Sequence, residues 1–298
     1  MNKKTFSAVA LATLLLTACQ NDEETTQTDT RVALQVTSGI QTRAFDNQWE
    51  KNDAIGIFGF TQGDAPTQAY SNVKYVTAGG NGTFTPDGTT IYLPTDDSYL
   101  NFVAYYPHTT SLTADGIYAV DVTDQSIQKD IDLMAASKLS ANRIKNTVAF
   151  KFEHKLSKIV FNFADGDGIA LSELAGMKVQ LTNQQPKALF DVTKPDGEVV
   201  VGMDSPIDIT LLTDANGTSS EGIVLPSANF DNMTLHLELA DGGSFFNWDL
   251  NNSKADKFEA GKKYVYDITV NKSRLDVTAT IEDWAPGNGE NGEQGEAF

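Results

Sequence analysis

The chain has 298 residues, 40% of them hydrophobic, with 22 basic against 40 acidic side chains and a formal net charge of −18. That length and apolar content can fill one large or two ordinary cores, while so negative a surface repels phosphate backbones and anionic membranes. Nucleic acid is therefore not an expected partner, and a single cysteine leaves no intramolecular disulfide available.

Lys3 and Lys4 precede a run, residues 6–16, that is apolar apart from Ser7 and Thr13. This is the layout of a secretory signal peptide, too short for a membrane-spanning helix, which needs about 20 residues. It runs into Leu16-Thr17-Ala18-Cys19, a bacterial lipobox ending on the lone cysteine. Cys19 is the expected lipidation site. Several acyl chains, each methylene worth about 0.8 kcal/mol, would hold the exported protein firmly on a membrane. Residues 20–30 carry Asp22, Glu23 and Glu24 and nothing apolar, so they read as a solvated tether. An acidic run this close to a lipidated cysteine also resembles the signal that sends lipoproteins to the outer face of the outer membrane.

From Val32 onward the apolar period is two, the mark of strands with one buried face. Val32, Leu34 and Val36 alternate with Ala33 and Gln35. Residues 54–60, 90–93, 99–106 and 117–122 follow as expected strands, separated by turn clusters such as Gly79-Gly80-Asn81-Gly82 and Pro86-Asp87-Gly88. Short helices are expected at 131–136 and 171–175, and the polar stretch 137–146 reads as a domain boundary. Beyond it, 177–182, 207–211 and 235–239 alternate cleanly, with His236 on the solvent side. The clearest pair is 264–270 and 275–281, joined by residues 271–274 in a hairpin or a short crossing between sheets. Residues 287–298 are Gly, Asn, Gln and Glu with almost nothing apolar, an expected disordered tail. The fold class is all-β, in sandwiches with few short helices.

Catalytic patterns are missing from the sequence. His108, His154 and His236 are scattered without metal or catalytic spacing, and a lipidated Cys19 leaves no thiol for a zinc site or a Cys/His pair. Asp165-Gly166-Asp167-Gly168 lacks the further carboxylates of a calcium loop and reads as a turn. There is no phosphate-cradling glycine loop and no nucleophile elbow. No cofactor, no metal and no enzymatic activity are expected. Trp49, Trp248 and Trp284 read as core or interface anchors.

Several segments, in order, resemble the fimbrillin family of type V pilus proteins, especially its fimbrillin-like branch. They are Thr42-Arg43-Ala44, Trp49-Glu50-Lys51-Asn52-Asp53-Ala54-Ile55-Gly56-Ile57-Phe58, Phe102-Val103-Ala104-Tyr105-Tyr106-Pro107 and Asp132-Leu133-Met134-Ala135-Ala136. Further on come Phe150-Lys151-Phe152-Glu153-His154-Lys155-Leu156-Ser157-Lys158-Ile159, Ala260-Gly261-Lys262-Lys263-Tyr264-Val265-Tyr266 and Ile281-Glu282-Asp283-Trp284.

This resemblance implies two transthyretin-like β-sandwich domains in tandem, export as a surface lipoprotein of the outer membrane, and assembly into a pilus by donor-strand exchange. The expected division is a signal (1–18), a lipidated tether with a removable first strand (19–45), an N-terminal sandwich (46–145), a C-terminal sandwich (146–286) and the tail. In polymerising members a trypsin-like protease cuts after an arginine and frees the first strand. Arg43 before Ala44 fits that site by position, Arg31 less well, and Val32, Leu34 and Val36 would line the removable strand. The tail departs from a stalk pilin, because the donor would have to be residues 275–281. Other pilus subunits, the outer membrane through the lipid, and host or bacterial surface ligands are the implied partners, with adhesion and biofilm formation as the role. A second reading is a glycan-binding surface lipoprotein with an aromatic platform that includes Trp248 or Trp284.

Overall fold

A computed structural model describes residues 31–38 and 49–284. Its first half contains β1 (Gln35–Ser38), β2 (Ala54–Thr61), β3 (Gln68–Val76), β4 (Thr83–Pro86), β5 (Leu100–Tyr106), β6 (Ile117–Asp121), β7 (Met134–Ala141), β8 (Thr147–Phe150) and β9 (Phe152–His154). Eight of these strands run in the order β8-β1-β4-β3-β2-β5-β7-β9. The sheet turns a corner at β4, whose Thr83 and Phe84 pair with β1 while Thr85 and Pro86 pair with β3. A small layer, β8-β1-β4, thus lies over a larger one, and Leu34, Val36, Phe84, Val148 and Phe150 meet Ile55, Ile57, Tyr75, Phe102 and Tyr106 in one apolar cluster. In the larger layer β2 is buried on both faces because Gly56 and Gly59 yield space to rings of β5. A Cβ on Gly56 would sit 2.1 Å from the Tyr105 ring and one on Gly59 3.0 Å from that of Phe102.

The second half contains β10 (Ser157–Asp165), the single helical turn α1 (Leu171–Leu174), β11 (Lys178–Gln184), β12 (Lys187–Asp191), β13 (Val200–Val201), β14 (Ile207–Thr210), β15 (Leu212–Thr213), β16 (Ser219–Val224), β17 (Thr234–Glu238), β18 (Phe245–Asp249), β19 (Lys262–Asn271) and β20 (Arg274–Asp283). They form a five-stranded sheet, β15-β16-β10-β19-β20, and a four-stranded sheet, β14-β11-β17-β18. Alternation decides the core: Ile159, Phe161, Tyr264, Tyr266 and Ile268 from one sheet face Val179, Leu181, Ile209, Leu235 and Leu237 from the other. The fold is all-β, a tandem of sandwiches.

The halves are joined by a third sheet, β13-β12-β6, in which β6 of the first half pairs along its whole length with β12 of the second. Its inner side chains Val120, Ala188 and Phe190 are buried and continue the second core, which also takes in Phe58, Val103 and Tyr105 from the outer face of the first sandwich. Gln125 rivets the joint, its amide donating to Val122 O (2.7 Å) and Ile223 O (2.9 Å) while its carbonyl accepts from Ile223 N (2.8 Å). Every polar atom of this buried side chain is used, so it costs the core little.

The structure departs from the sequence expectations at three places. Residues 131–136 are not a helix: a 3-10 turn, Gln128–Asp130, leads straight into β7, where Ala135 and Ala136 pair with Tyr105 and Ala104 of β5. The polar stretch 137–146 begins as the rest of β7 and ends in a reversal in which Asn142 Oδ1 accepts from Ile144 N and Lys145 N. Strand pairing therefore carries the first sandwich past residue 145, through β8 and β9 to His154. Residues 90–93 make no strand of their own but a bridge, Tyr92 to Ala33, flanked by backbone bonds Leu34 N to Ile91 O and Leu93 N to Val32 O, both 2.9 Å.

Candidate functional site

β1 is short but sits in the interior of its sheet. It runs antiparallel to β4 (Val36 opposite Phe84) and parallel to β8 (Gln35 opposite Thr147 through Ser38 opposite Phe150). Its ends are fastened by Gln35 N to Asn146 O (2.8 Å) and Ser38 N to Gly82 O (2.7 Å). Leu34 and Val36 are 4% and 2% exposed, Val32 packs half-buried against the same cluster, and Gln35 faces solvent. The three residues singled out from the alternation thus share the core side of one strand. β8 has no strand neighbour other than β1 among the described residues. Removing β1 would open a slot floored by Phe84, Ile91, Val148 and Phe150 and walled by unpaired backbone of β4 and β8, which is the geometry that captures a foreign strand.

The chain on either side of residues 39–48 is pinned to one turn. A Cβ on Gly82 would lie 2.3 Å from Ser38 O and 3.6 Å from Trp49 Cδ1, and one on Gly80 2.5 Å from Trp49 O. Both glycines have positive φ (65° and 76°), and only their bare backbone lets the two chain ends approach. Trp49 then plugs the sandwich, with Phe84, Tyr106 and Phe152 edge-on at 5.1, 5.2 and 5.3 Å. Burial, and next the charge of Asp53, pushes the Tyr106 hydroxyl far above its ordinary pKa, and that hydroxyl donates to Asp53 Oδ1 at 3.3 Å. Cys19, Arg43 and Ala44 lie outside the described residues.

The chain has four arginines, and the three described ones are engaged. The guanidinium of Arg31 lies 4.0 Å over the Tyr92 ring, Arg143 Nη1 donates to Thr95 O (3.0 Å), and Arg274 grips Asp276 through Nε and Nη2 at 2.9 and 3.2 Å.

β20 is the last of the described strands. β20 pairs with β19 in an unbroken ten-residue hairpin, from Asn271 opposite Arg274 to Lys262 opposite Asp283. It is an edge strand: Leu275, Val277 and Ala279 are half-buried and Ile281 is 43% exposed. At its end Trp284 is buried, donates its backbone N–H to Gly261 O (2.6 Å), and stacks on His154 of β9 with ring centres 3.8 Å apart and planes 9° off parallel. His154 Nδ1 is 2.7 Å from Asp132 Oδ1. No sequence signal marked this stack, because His154 and Trp284 are far apart in the chain and meet only through the joint between the halves.

The remaining candidates take structural places. Trp49 and Trp284 are buried, and Trp248 is half-buried with its ring 5.3 Å from that of Tyr266. Trp284 is taken up by the core, while Trp248 keeps part of its surface exposed. Asp165-Gly166-Asp167-Gly168 is a turn tied to the hairpin through Asp167 N to Asn271 Oδ1 (2.8 Å) and Asn271 Nδ2 to Asp276 Oδ2 (3.0 Å). Among the described residues no three His, Cys, Asp or Glu side chains gather as a metal would need. His236 is half-buried, its Nδ1 2.7 Å from Asn247 Oδ1.

Fold and strand order together define a class: two joined β-sandwiches, the first completed by β1, the first strand described, between β4 and β8. The family model described as fimbrillin-like matches residues 42–284, and the chain belongs to this fimbrillin-like family. A proposed fimbrium subunit of Bacteroides uniformis, Fim1C, is 44% identical with both chains covered in full. The crystal structure of a proposed cell adhesion protein of the same species is 41% identical at TM-score 0.79, covering 87% of this chain and 99% of that one. A comparable protein from Bacteroides ovatus shares the fold at 24% identity and TM-score 0.67, over 85% and 96% of the two chains.

Proposed function

We propose that the chain is a lipid-anchored surface subunit that builds or decorates a pilus by donor-strand exchange, in which β1 is a temporary occupant of its own slot. The observation that carries this reading is the position of β1. It lies between β4 and β8, with Leu34 and Val36 in the core, and the ten residues 39–48 that follow it in the chain include Arg43 and Ala44. Cutting after Arg43 would leave the strand held by backbone bonds and by two buried side chains worth about 1.5–3 kcal/mol each. An incoming strand of similar alternation can outcompete that.

Leu275, Val277, Ala279 and Ile281 on β20 offer the matching alternation for donation to a neighbour. In this reading Cys19 carries the acyl anchor that delivers the subunit to the outer membrane, and the assembled fibre supports adhesion and biofilm formation. The test is mass spectrometry of the protein recovered from intact cells, reading its N-terminus and acyl mass, followed by sizing of the same material. Chains that begin at Ala44 within high-mass polymers are expected. A chain beginning at acylated Cys19 and found as a monomer would overturn strand exchange and leave an anchored monomer.

A further inference from the structure

The second sandwich carries a pocket that the strand slot does not use. Along β11, Val179 and Leu181 point into the core, and regular alternation would send residue 184 to solvent. A β-bulge prevents this: the pairing with β14 steps from Leu181 opposite Ile209 to Gln184 opposite Ile207, three residues of β11 against two. Asn183 occupies the extra position with φ 57°, held by Asp208 Oδ1, which accepts from its N–H (3.1 Å), and by Asp231 O, which accepts from its side-chain amide (3.0 Å). The bulge reverses the facing of the strand, and Gln184 ends 3% exposed inside the fold instead of outside it. Bulges that re-aim a side chain are built features rather than defects.

The re-aimed residues line a cavity of about 390 Å³, within the usual range for small-molecule sites. Asn183, Gln184, Gln185 and Asn229 supply side-chain amides, and Pro206, Leu225 and Pro226 supply apolar walls. The side-chain oxygen of Gln185, which also lines the cavity, meets no protein donor. Amides donate and accept at once, as hydroxyls do, and proline and leucine surfaces suit C–H faces. No lysine or arginine lines the cavity, while Asp231 does, so an anionic ligand would meet repulsion with no counter-charge.

We propose that this pocket binds a neutral saccharide, through hydroxyl groups that pair with Gln185 and with the capacity that the amides of Asn183 and Asn229 keep beside their bonds to Asp231. The site is independent of strand exchange and operates on the monomer as on the fibre.

The experiment is titration of the purified full-length exported chain with neutral saccharides built from galactose, glucose, mannose and N-acetylglucosamine, and with sialylated and uronate-containing counterparts. Binding is read by calorimetry and by saturation-transfer NMR. Saturable binding of at least one neutral sugar is expected, weakened about tenfold or more, some 1.4 kcal/mol, by Gln185→Leu or Asn229→Ala. Ala228→Tyr, at an exposed position on the rim, should block the pocket while leaving the melting temperature unchanged, which covers the case in which Gln185→Leu disturbs the core. The proposal is overturned by absence of saturable binding across the neutral panel, by binding that all three variants retain, or by anionic sugars that bind as tightly as neutral ones.

Discussion

β1 and β20 stand at opposite ends of the described chain and solve opposite problems. β1 has four residues, two strand neighbours and its apolar face wholly in the core. β20 has ten residues, one neighbour and an apolar face only half covered, and its end is bolted down by Trp284 on His154. The short strand is essential to its sandwich yet weakly tied by covalent structure. The long strand is firmly hydrogen-bonded yet peripheral to its core. A slot that must accept a substitute needs the first arrangement, and a strand that must be offered without collapse of its own domain needs the second.

This contrast can be broken most sharply by deleting residues 31–38. The first sandwich should lose its cooperative melting, and a peptide of the same sequence added in trans should restore it, whereas deletion of β20 should leave the melting of the first sandwich in place. Differential scanning calorimetry distinguishes the two. Next in size, Val36→Asp places a carboxylate in the core and should destabilise by more than about 3 kcal/mol, with Leu34→Ala costing about 2–5 kcal/mol, both read by denaturant titration.

A smaller effect is expected from Trp284→Ala, about 3 kcal/mol at most because β20 keeps its pairing with β19. Hydrogen exchange should quicken at the Trp284 end of β20 and at β9 while β1 stays protected; equal loss of protection in β1 would show that the two strands are coupled after all. The smallest effect is acid sensitivity of the hairpin tip. The Arg274 side chain holds the Asp276 carboxyl below its ordinary pKa. A carboxylate depressed in the folded state stabilises above its unfolded pKa, about 3.8, and that contribution fades as pH falls through the folded value. Asp276→Asn should therefore lower the melting temperature slightly at neutral pH, with the difference from the parent vanishing as pH falls below about 4.

How legible each region was in the sequence follows from the range of the interactions that shape it. Period two marked β11, β14, β17, β19 and β20, since burial of one face is written into each strand's own residues. The β19–β20 hairpin was legible because its partners adjoin in sequence. Asp132-Leu133-Met134-Ala135-Ala136 reads as helical by local propensity, and pairing with β5 overrides it. β8 and β12 alternate, but over only four and five residues, too few to announce themselves. The amide pocket was invisible because a bulge changes the facing of β11 without changing any residue type.

What the amino-acid order determined alone is local: the all-β character and the apolar alternation that turns Leu34 and Val36 inward. Family motifs spread along the chain added the kinship. Tertiary structure alone decided that β1 lies between β4 and β8, that β6 joins the halves through β12, and that Trp284 closes on His154. A strand's alternation states which face it buries, but its free N–H and C=O groups are the same in every sequence. Its neighbours are therefore chosen by how distant apolar faces close into one core.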